Sequence, residues 1–269
     1  MQSDKVDSEI RIAENLQKIK NRLLVFSGKG GVGKSTVAAN LGLALSERKL
    51  RVGLIDIDIH GPNLAKMLGA EGKKLQPSEE NRIVPLKITS NLSLVSISFF
   101  LHNFDNPVIW RGPLKMKLIQ QFLGDVVWGE LDWLIIDSPP GTGDEPLSVA
   151  QLIPATGAII VTTPQEVSLM DSRKAVNFAR VLKLRTFGII ENMSGLDCPH
   201  CGKRIDIFGS GGGERTARDL GVPFLGKIPM DPGIVSLADE GKPFITYRPD
   251  SAAAEAFGRI IDKIITAAK

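Results

Sequence analysis

Residues Gly28 to Thr36 read GKGGVGKST, a run whose residue types could bind phosphate. Gly28, Gly33, Lys34 and Ser35 fill the pattern G-x-x-x-x-G-K-[ST], with Gly30, Gly31 and Val32 inside the loop and Thr36 just after it. Glycines let backbone N–H groups close around phosphate oxygens, and the N-terminus of the following helix adds positive dipole. Lys34 would reach the β and γ phosphates of ATP, and Ser35 would hold Mg²⁺. A glycine loop that merely turns the chain is the bland alternative, but every motif position is filled. Lys29, five residues before Lys34, has no duty in an ordinary loop of this type.

Three carboxylates could serve the same chemistry. Asp137 closes the apolar run WLIID before PPGTGD, in the manner of a Walker B strand. An aspartate at a strand's C-terminal end faces the ligand side of an α/β sheet, where it can orient the water shell of Mg²⁺. Capping the next helix is the other reading of Asp137. Gly141 and Gly143 would let the loop beyond it move when the γ-phosphate leaves. Asp56 and Asp58, in LIDIDIHGPN, stand two apart, so both project to one face if strand geometry persists. Two carboxylates facing a triphosphate would repel it unless Mg²⁺ lies between them; alternatively, one of them caps a helix beginning in GPNL.

Cys198 and Cys201, in C-P-H-C, are the chain's two cysteines. Thiolates three apart in a tight turn can both reach one soft metal centre, yet a tetrahedral sulfur site needs four. Two such turns meeting across a two-fold axis would supply four sulfurs, to a [4Fe-4S] cluster or to zinc. A redox dithiol and inert surface thiols are the other readings, and His200 reads as a loop histidine or an added ligand.

The spelling K-G-G-V-G-K-S resembles the deviant Walker A of the MinD, ParA, ArsA and Mrp group of P-loop ATPases. Together with DIDIHGPN, VIWRGP at Val108 to Pro113, IDSPPGTGD, ENMS and the late C-x-x-C, the chain from about Arg22 onward resembles the Mrp/ApbC family of iron–sulfur cluster carriers. That resemblance implies a nucleotide-sandwich homodimer in which Lys29 reaches the partner's nucleotide, against the bland reading of a solvated lysine. It also implies that Asp56 lies near the magnesium shell, that Asp58 positions the attacking water, and that Asn192 reads adenine rather than merely turning the chain, with IPMDP at Ile228 to Pro232 flanking the base. The implied function is a slow, ancillary, Mg²⁺-dependent ATPase that holds a cluster between two chains and hands it to apo iron–sulfur proteins. A MinD- or ParA-like switch positioning a partner on membrane or DNA is the rival, as is a P-loop ATPase with structural zinc at the dimer interface. The resemblance gives no role to Trp110, Arg111, Gly112 and Pro113.

Apolar runs alternating with helical patterns supply the frame for these residues. Strands are expected at Arg22 to Ser27, Arg51 to Ile57, Trp133 to Asp137, Ala158 to Thr163, Thr186 to Glu191 and Pro223 to Ile228. Helices are expected at Thr36 to Leu45, Leu114 to Val127, Val167 to Leu182 and Glu214 to Leu220. That alternation predicts a doubly wound, mainly parallel sheet in a three-layer α/β/α P-loop fold, with Ile83 to Ile88 and Leu92 to Phe99 as an edge hairpin. Ser8 to Lys20 reads as a docked helix, giving an N-terminal helical extension over 1–21 and a single ATPase domain over 22–269. The glycine-rich stretch 194–214 reads as an inserted metal-binding loop. Phe257, Ile260, Ile261, Ile264 and Ile265 form one stripe of a last helix, more often packed on a sheet than laid on a membrane.

At 269 residues and 43% hydrophobic content the chain can bury a full core, and a net charge of +3 without a basic stripe gives no sign of nucleic acid. No apolar run approaches the roughly 18 residues a membrane span needs. No nucleic-acid or membrane partner is expected, and a cytoplasmic location is.

Overall fold

A computed structural model describes residues 2–59, 61–78, 80, 82–100, 112–198 and 200–269. Its strands are β1 (Ile19–Ser27), β2 (Val52–Asp56), β3 (Gln76–Pro77), β4 (Ile83–Val84), β5 (Leu86–Lys87), β6 (Leu92–Ser96), β7 (Leu131–Asp137), β8 (Gly157–Thr162), β9 (Thr186–Glu191), β10 (Leu196–Asp197), β11 (Arg204–Ile205) and β12 (Phe224–Lys227). Its helices are α1 (Gln2–Gln17), α2 (Lys34–Glu47), α3 (Leu64–Met67), α4 (Gly112–Gly124), α5 (Asp144–Leu152), α6 (Glu166–Val181), α7 (Gly212–Asp219), α8 (Pro232–Asp239), α9 (Phe244–Tyr247) and α10 (Ala252–Ala268).

The central sheet has eight strands in the order β12-β9-β8-β1-β7-β2-β6-β5, all parallel except β5, which runs antiparallel to β6 at the edge. Parallel strands joined by helices must bury both faces, which explains why β2, β6 and β8 are buried along their whole length. Successive side chains of β1 divide between two cores: Leu23 and Val25 pack with α2 and α10, Leu24 and Phe26 with α4 and α5. The result is three layers, with α2, α3, α9 and α10 on one face and α1, α4, α5 and α6 on the other. Ile160 of β8 and Ile189 of β9 add a smaller cluster beneath α6 and α7.

Several boundaries differ from the sequence expectation for local reasons. Helix α1 ends at Gln17, and Ile19 already pairs with Leu131, so β1 starts three residues before Arg22. Pro85 divides the run Ile83 to Ile88. Before it, β4 pairs with β3; after it, β5 pairs with β6 as the expected hairpin. The C-terminal stripe is core: Phe257, Ile260, Ile261 and Ile264 are buried and Ile265 is half-buried, packed with α2. At about 1.5–3 kcal/mol per buried large apolar side chain, that face fixes α10 to the sheet. Among the described residues, no helix is long and apolar enough to cross a membrane.

Candidate nucleotide site and cysteine hairpin

β1 ends at Ser27 and α2 begins at Lys34, so Gly28 to Gly33 form the turn between them at the C-terminal edge of the sheet. Gly33 precedes α2 with φ of +80°, and a Cβ there would lie 2.2 Å from Asn192 Nδ2. A Cβ on Gly28 would lie 2.2 Å from the Asp171 carbonyl oxygen of α6. Only glycine allows the loop to press against both neighbours. A cleft of about 200 Å³ opens there, lined among others by Gly30, Gly33, Lys34, Ser35, Thr36 and Asp58.

The carboxylates converge on Lys34. Its Nζ lies 2.6 Å from Asp137 Oδ1 and 3.5 Å from Asp58 Oδ2, and it donates to Ser35 Oγ at 3.4 Å. Asp56 and Asp137 are register partners on adjacent strands, both fully buried. Burial, and then the neighbouring Asp137 charge, push the Asp56 carboxyl up to about 8, against the Lys34 ammonium, the Leu64 N–H and the Ser96 hydroxyl. Burial likewise raises Asp137, with Lys34 as its main counterweight.

The two aspartates of the D-x-D run have separate situations. β2 stops at Asp56, so strand geometry does not persist to Asp58. Asp56 Oδ2 accepts from the Leu64 N–H at 3.1 Å and the Ser96 hydroxyl at 3.0 Å, and Oδ1 accepts from the Asp58 N–H at 3.3 Å. Leu64 is the first residue of α3, whose N-cap position is Asn63, so Asp56 takes an N–H of that helix's first turn from the end of β2. By contrast, among the described residues, Asp58 Oδ1 and Asp137 Oδ2 are buried without a hydrogen-bond partner. Orphaned carboxylate oxygens beside a phosphate loop and the Ser35 hydroxyl are the donors a hard divalent cation takes, and they fit Mg²⁺.

Lys29 is half-buried and, among the described residues, makes no hydrogen bond or ion pair. Asn192 is buried just beyond β9 and donates from Nδ2 to the Val32 carbonyl at 2.9 Å, so its amide is seated on the phosphate loop.

Cys198 and Cys201 lie in the turn of the β10–β11 hairpin, where Leu196 pairs with Ile205 and Asp197 with Arg204. The Cys198 N–H donates to the Lys203 carbonyl and the Gly202 N–H to the Cys198 carbonyl, which closes the turn. Both thiols are free; Cys198 is half-buried and Cys201 exposed. The backbone N–H groups of His200 and Cys201, followed by the Cys201 side chain, lower the Cys198 thiol and favour thiolate. Among the described residues, no third His, Cys, Asp or Glu joins the pair in a metal-holding group. Residues 101–111, including Trp110 and Arg111 of the VIWRGP run, lie outside the described residues; Gly112 and Pro113 open α4.

Two side chains to which the motifs assign no role complete the arrangement: Ser96, and Glu191, the first residue of ENMS. Ser96 fixes Asp56 from β6, forty residues away. Glu191 ends β9 fully buried and accepts from the Ser194 hydroxyl at 2.6 Å, the Gly211 N–H at 3.0 Å and the Gly213 N–H at 2.6 Å. Its place at the head of ENMS, closing an apolar strand ahead of a glycine-rich stretch, is the signal that marks it in the sequence.

Residues 18–265 match the model of the ParA family described as NUBPL iron-transfer P-loop NTPase. An iron-sulfur cluster carrier protein of Methanocaldococcus jannaschii is 49% identical over 258 residues, covering 96% of this chain and 88% of that one. A nucleotide-binding protein of Archaeoglobus fulgidus, solved in complex with ADP and with cobalt found in it, is 40% identical with a TM-score of 0.78 over 89% of this chain and 93% of that one. The cell division ATPase MinD of Pyrococcus furiosus is 26% identical with a TM-score of 0.69 over 92% of this chain and 99% of that one.

Proposed function

The chain belongs to the NUBPL iron-transfer P-loop NTPase family, and on that premise we propose that it is a homodimeric, Mg²⁺-dependent ATPase carrying a [4Fe-4S] cluster to apo iron–sulfur proteins. The observation that carries this reading is the cysteine hairpin. It presents two thiols, one of them biased toward thiolate, and no third metal-holding side chain among the described residues joins them. Four-sulfur ligation then needs a second copy of the hairpin, which a two-fold dimer provides. The relative named an iron-sulfur cluster carrier protein supports the cargo, and the ADP complex of the A. fulgidus protein supports the nucleotide.

At the nucleotide site the chain's own groups do electrostatic and positioning work. The loop amides and Lys34 offset phosphate charge. The orphaned oxygens of Asp58 and Asp137, with the Ser35 hydroxyl, would hold Mg²⁺ or its waters. Mg²⁺, when bound, neutralises charge on the phosphate oxygens. Asp58, buried yet lining the cleft, orients the water that adds to the γ-phosphorus as the bond to the β–γ bridging oxygen breaks. Asn192 meets the adenine edge, where a carboxamide can both donate and accept. Lys29 of one protomer completes the charge on the other's nucleotide.

Anaerobic reconstitution with iron and sulfide tests the cargo. The wild-type protein is expected to turn brown with about two irons per chain, four irons shared by two chains. Cys198→Ser is expected to lose the colour while nucleotide affinity stays unchanged. Retention of zinc with no iron uptake would overturn the cluster and leave a structural metal in its place. ATP-dependent sedimentation with liposomes or DNA, with no iron uptake, would support a positioning switch instead.

A further inference from the structure

Glu191 has a place in this molecule that neither nucleotide nor metal chemistry explains. Its carboxylate is fully buried and, among the described residues, forms no ion pair with a lysine or arginine. Burying a carboxylate without a counter-charge is costly unless several donors surround it. Here three do: the Ser194 hydroxyl and the N–H groups of Gly211 and Gly213. Gly211 and Gly213 flank the start of α7, whose dipole also favours the negative charge. Ser194 stands at the beginning of the cysteine segment and Gly211 at its end, so one side chain clasps both ends of the loop that carries Cys198 and Cys201.

The same residue is coupled to the phosphate loop. Asn192, its neighbour, donates to the Val32 carbonyl and packs against Gly33. Between Asn192 and Ser194, Met193 holds φ at +55°, a left-handed conformation that costs a residue with a Cβ about 1 kcal/mol or more. Such strain persists only where both flanks are fixed, and both are. The Ser194 N–H donates to the Ile228 carbonyl, the Ser194 carbonyl accepts from Arg204 of β11, and the Asn192 N–H donates to the Thr162 carbonyl. A displacement of Asn192 therefore reaches Ser194 and Arg204 through the one strained residue between them, Met193.

We infer that Glu191 is the positioning residue that transmits nucleotide occupancy from the phosphate loop to the cysteine hairpin, acting through Ser194 and the start of α7. The inference rests on the reading that the hairpin is the cargo site, but its test needs no cargo. The probe is the iodoacetamide alkylation rate of Cys198 and Cys201 in the full-length, metal-free protein, with and without ATP and Mg²⁺. Wild type is expected to change its rate by about fivefold or more on nucleotide binding, the lower end of ordinary coupling between sites. Glu191→Gln should bring that ratio to within about twofold of one, with ATP affinity held near wild type. Glutamine keeps the size but sets an N–H₂ donor against one of the glycine N–H donors.

Ser194→Ala removes one donor and leaves the cap on α7, so it is expected to give an intermediate ratio even if Glu191→Gln folds poorly. A wild-type ratio near one, or variants that keep the full wild-type ratio, would overturn the inference. Failure of the cluster reading shows separately, as absent iron uptake by wild type, and does not alter the alkylation result.

Discussion

Asp56 accepts three hydrogen bonds, is fully buried, and yet holds its proton up to about pH 8, because burial and the Asp137 charge outweigh Lys34 and those bonds. Its value rises on folding from 3.8, so the native state binds the proton more tightly than the unfolded chain. Between those two values the folded protein carries the extra proton, and stability therefore falls as pH rises through that window. Urea midpoints of the nucleotide-free protein should fall from pH 5 to pH 8, and Asp56→Asn should flatten that slope. An unchanged slope would show that Asp56 ionises freely in the fold. The phosphate loop and Asp137 were legible as residues because their chemistry is written in contiguous motifs. The roles of Ser96 and Glu191 were not, since Asp56 lies forty residues from Ser96 and the Gly211 and Gly213 donors about twenty from Glu191, and only the fold brings them together.

Between elements, the junction of α1 with α4 carries the clearest consequence. The last carbonyls of α4 have no intrahelical donors, and the buried Asn15 of α1 supplies them. Its Nδ2 reaches the carbonyls of Leu123, Gly124 and Val126, while its Oδ1 accepts from Arg82. Asn15→Ala strands those acceptors and should cost about 1–3 kcal/mol of unfolding free energy with nucleotide affinity unchanged. Chemical denaturation checks it; a loss of nucleotide binding instead would mean that α1 belongs to the site. Strand existence was readable from apolar runs with helices between them. Boundaries were less so, because the start of β1 is set by its pairing with β7 and the break at Pro85 by hydrogen bonding to different strands on either side. The β10–β11 hairpin, two residues per strand, left no periodicity to read.

For the molecule as a whole, the proposed dimer rests on two features: a lysine without a partner among the described residues and a cysteine pair that, on the cluster proposal, would supply half of a four-sulfur site. If Lys29 acts on the partner's nucleotide, ATPase rate per chain should rise with protein concentration through the dimerisation range, and Lys29→Ala should flatten that rise while leaving ATP affinity close to wild type. A flat wild-type profile would put Lys29 outside catalysis. The sheet was legible from sequence because it follows from one chain's pattern, and the candidate site is placed at its C-terminal edge by the same pattern. The proposed dimer rests on resemblance and sulfur count, since no single-chain periodicity encodes a second copy. The most direct measurement of the central claim is the native mass of the anaerobically reconstituted protein. Two chains with one four-iron, four-sulfur cluster are expected, reverting to cluster-free species in Cys201→Ser. A single chain retaining a whole cluster, or a dimer holding zinc and no iron, would contradict it.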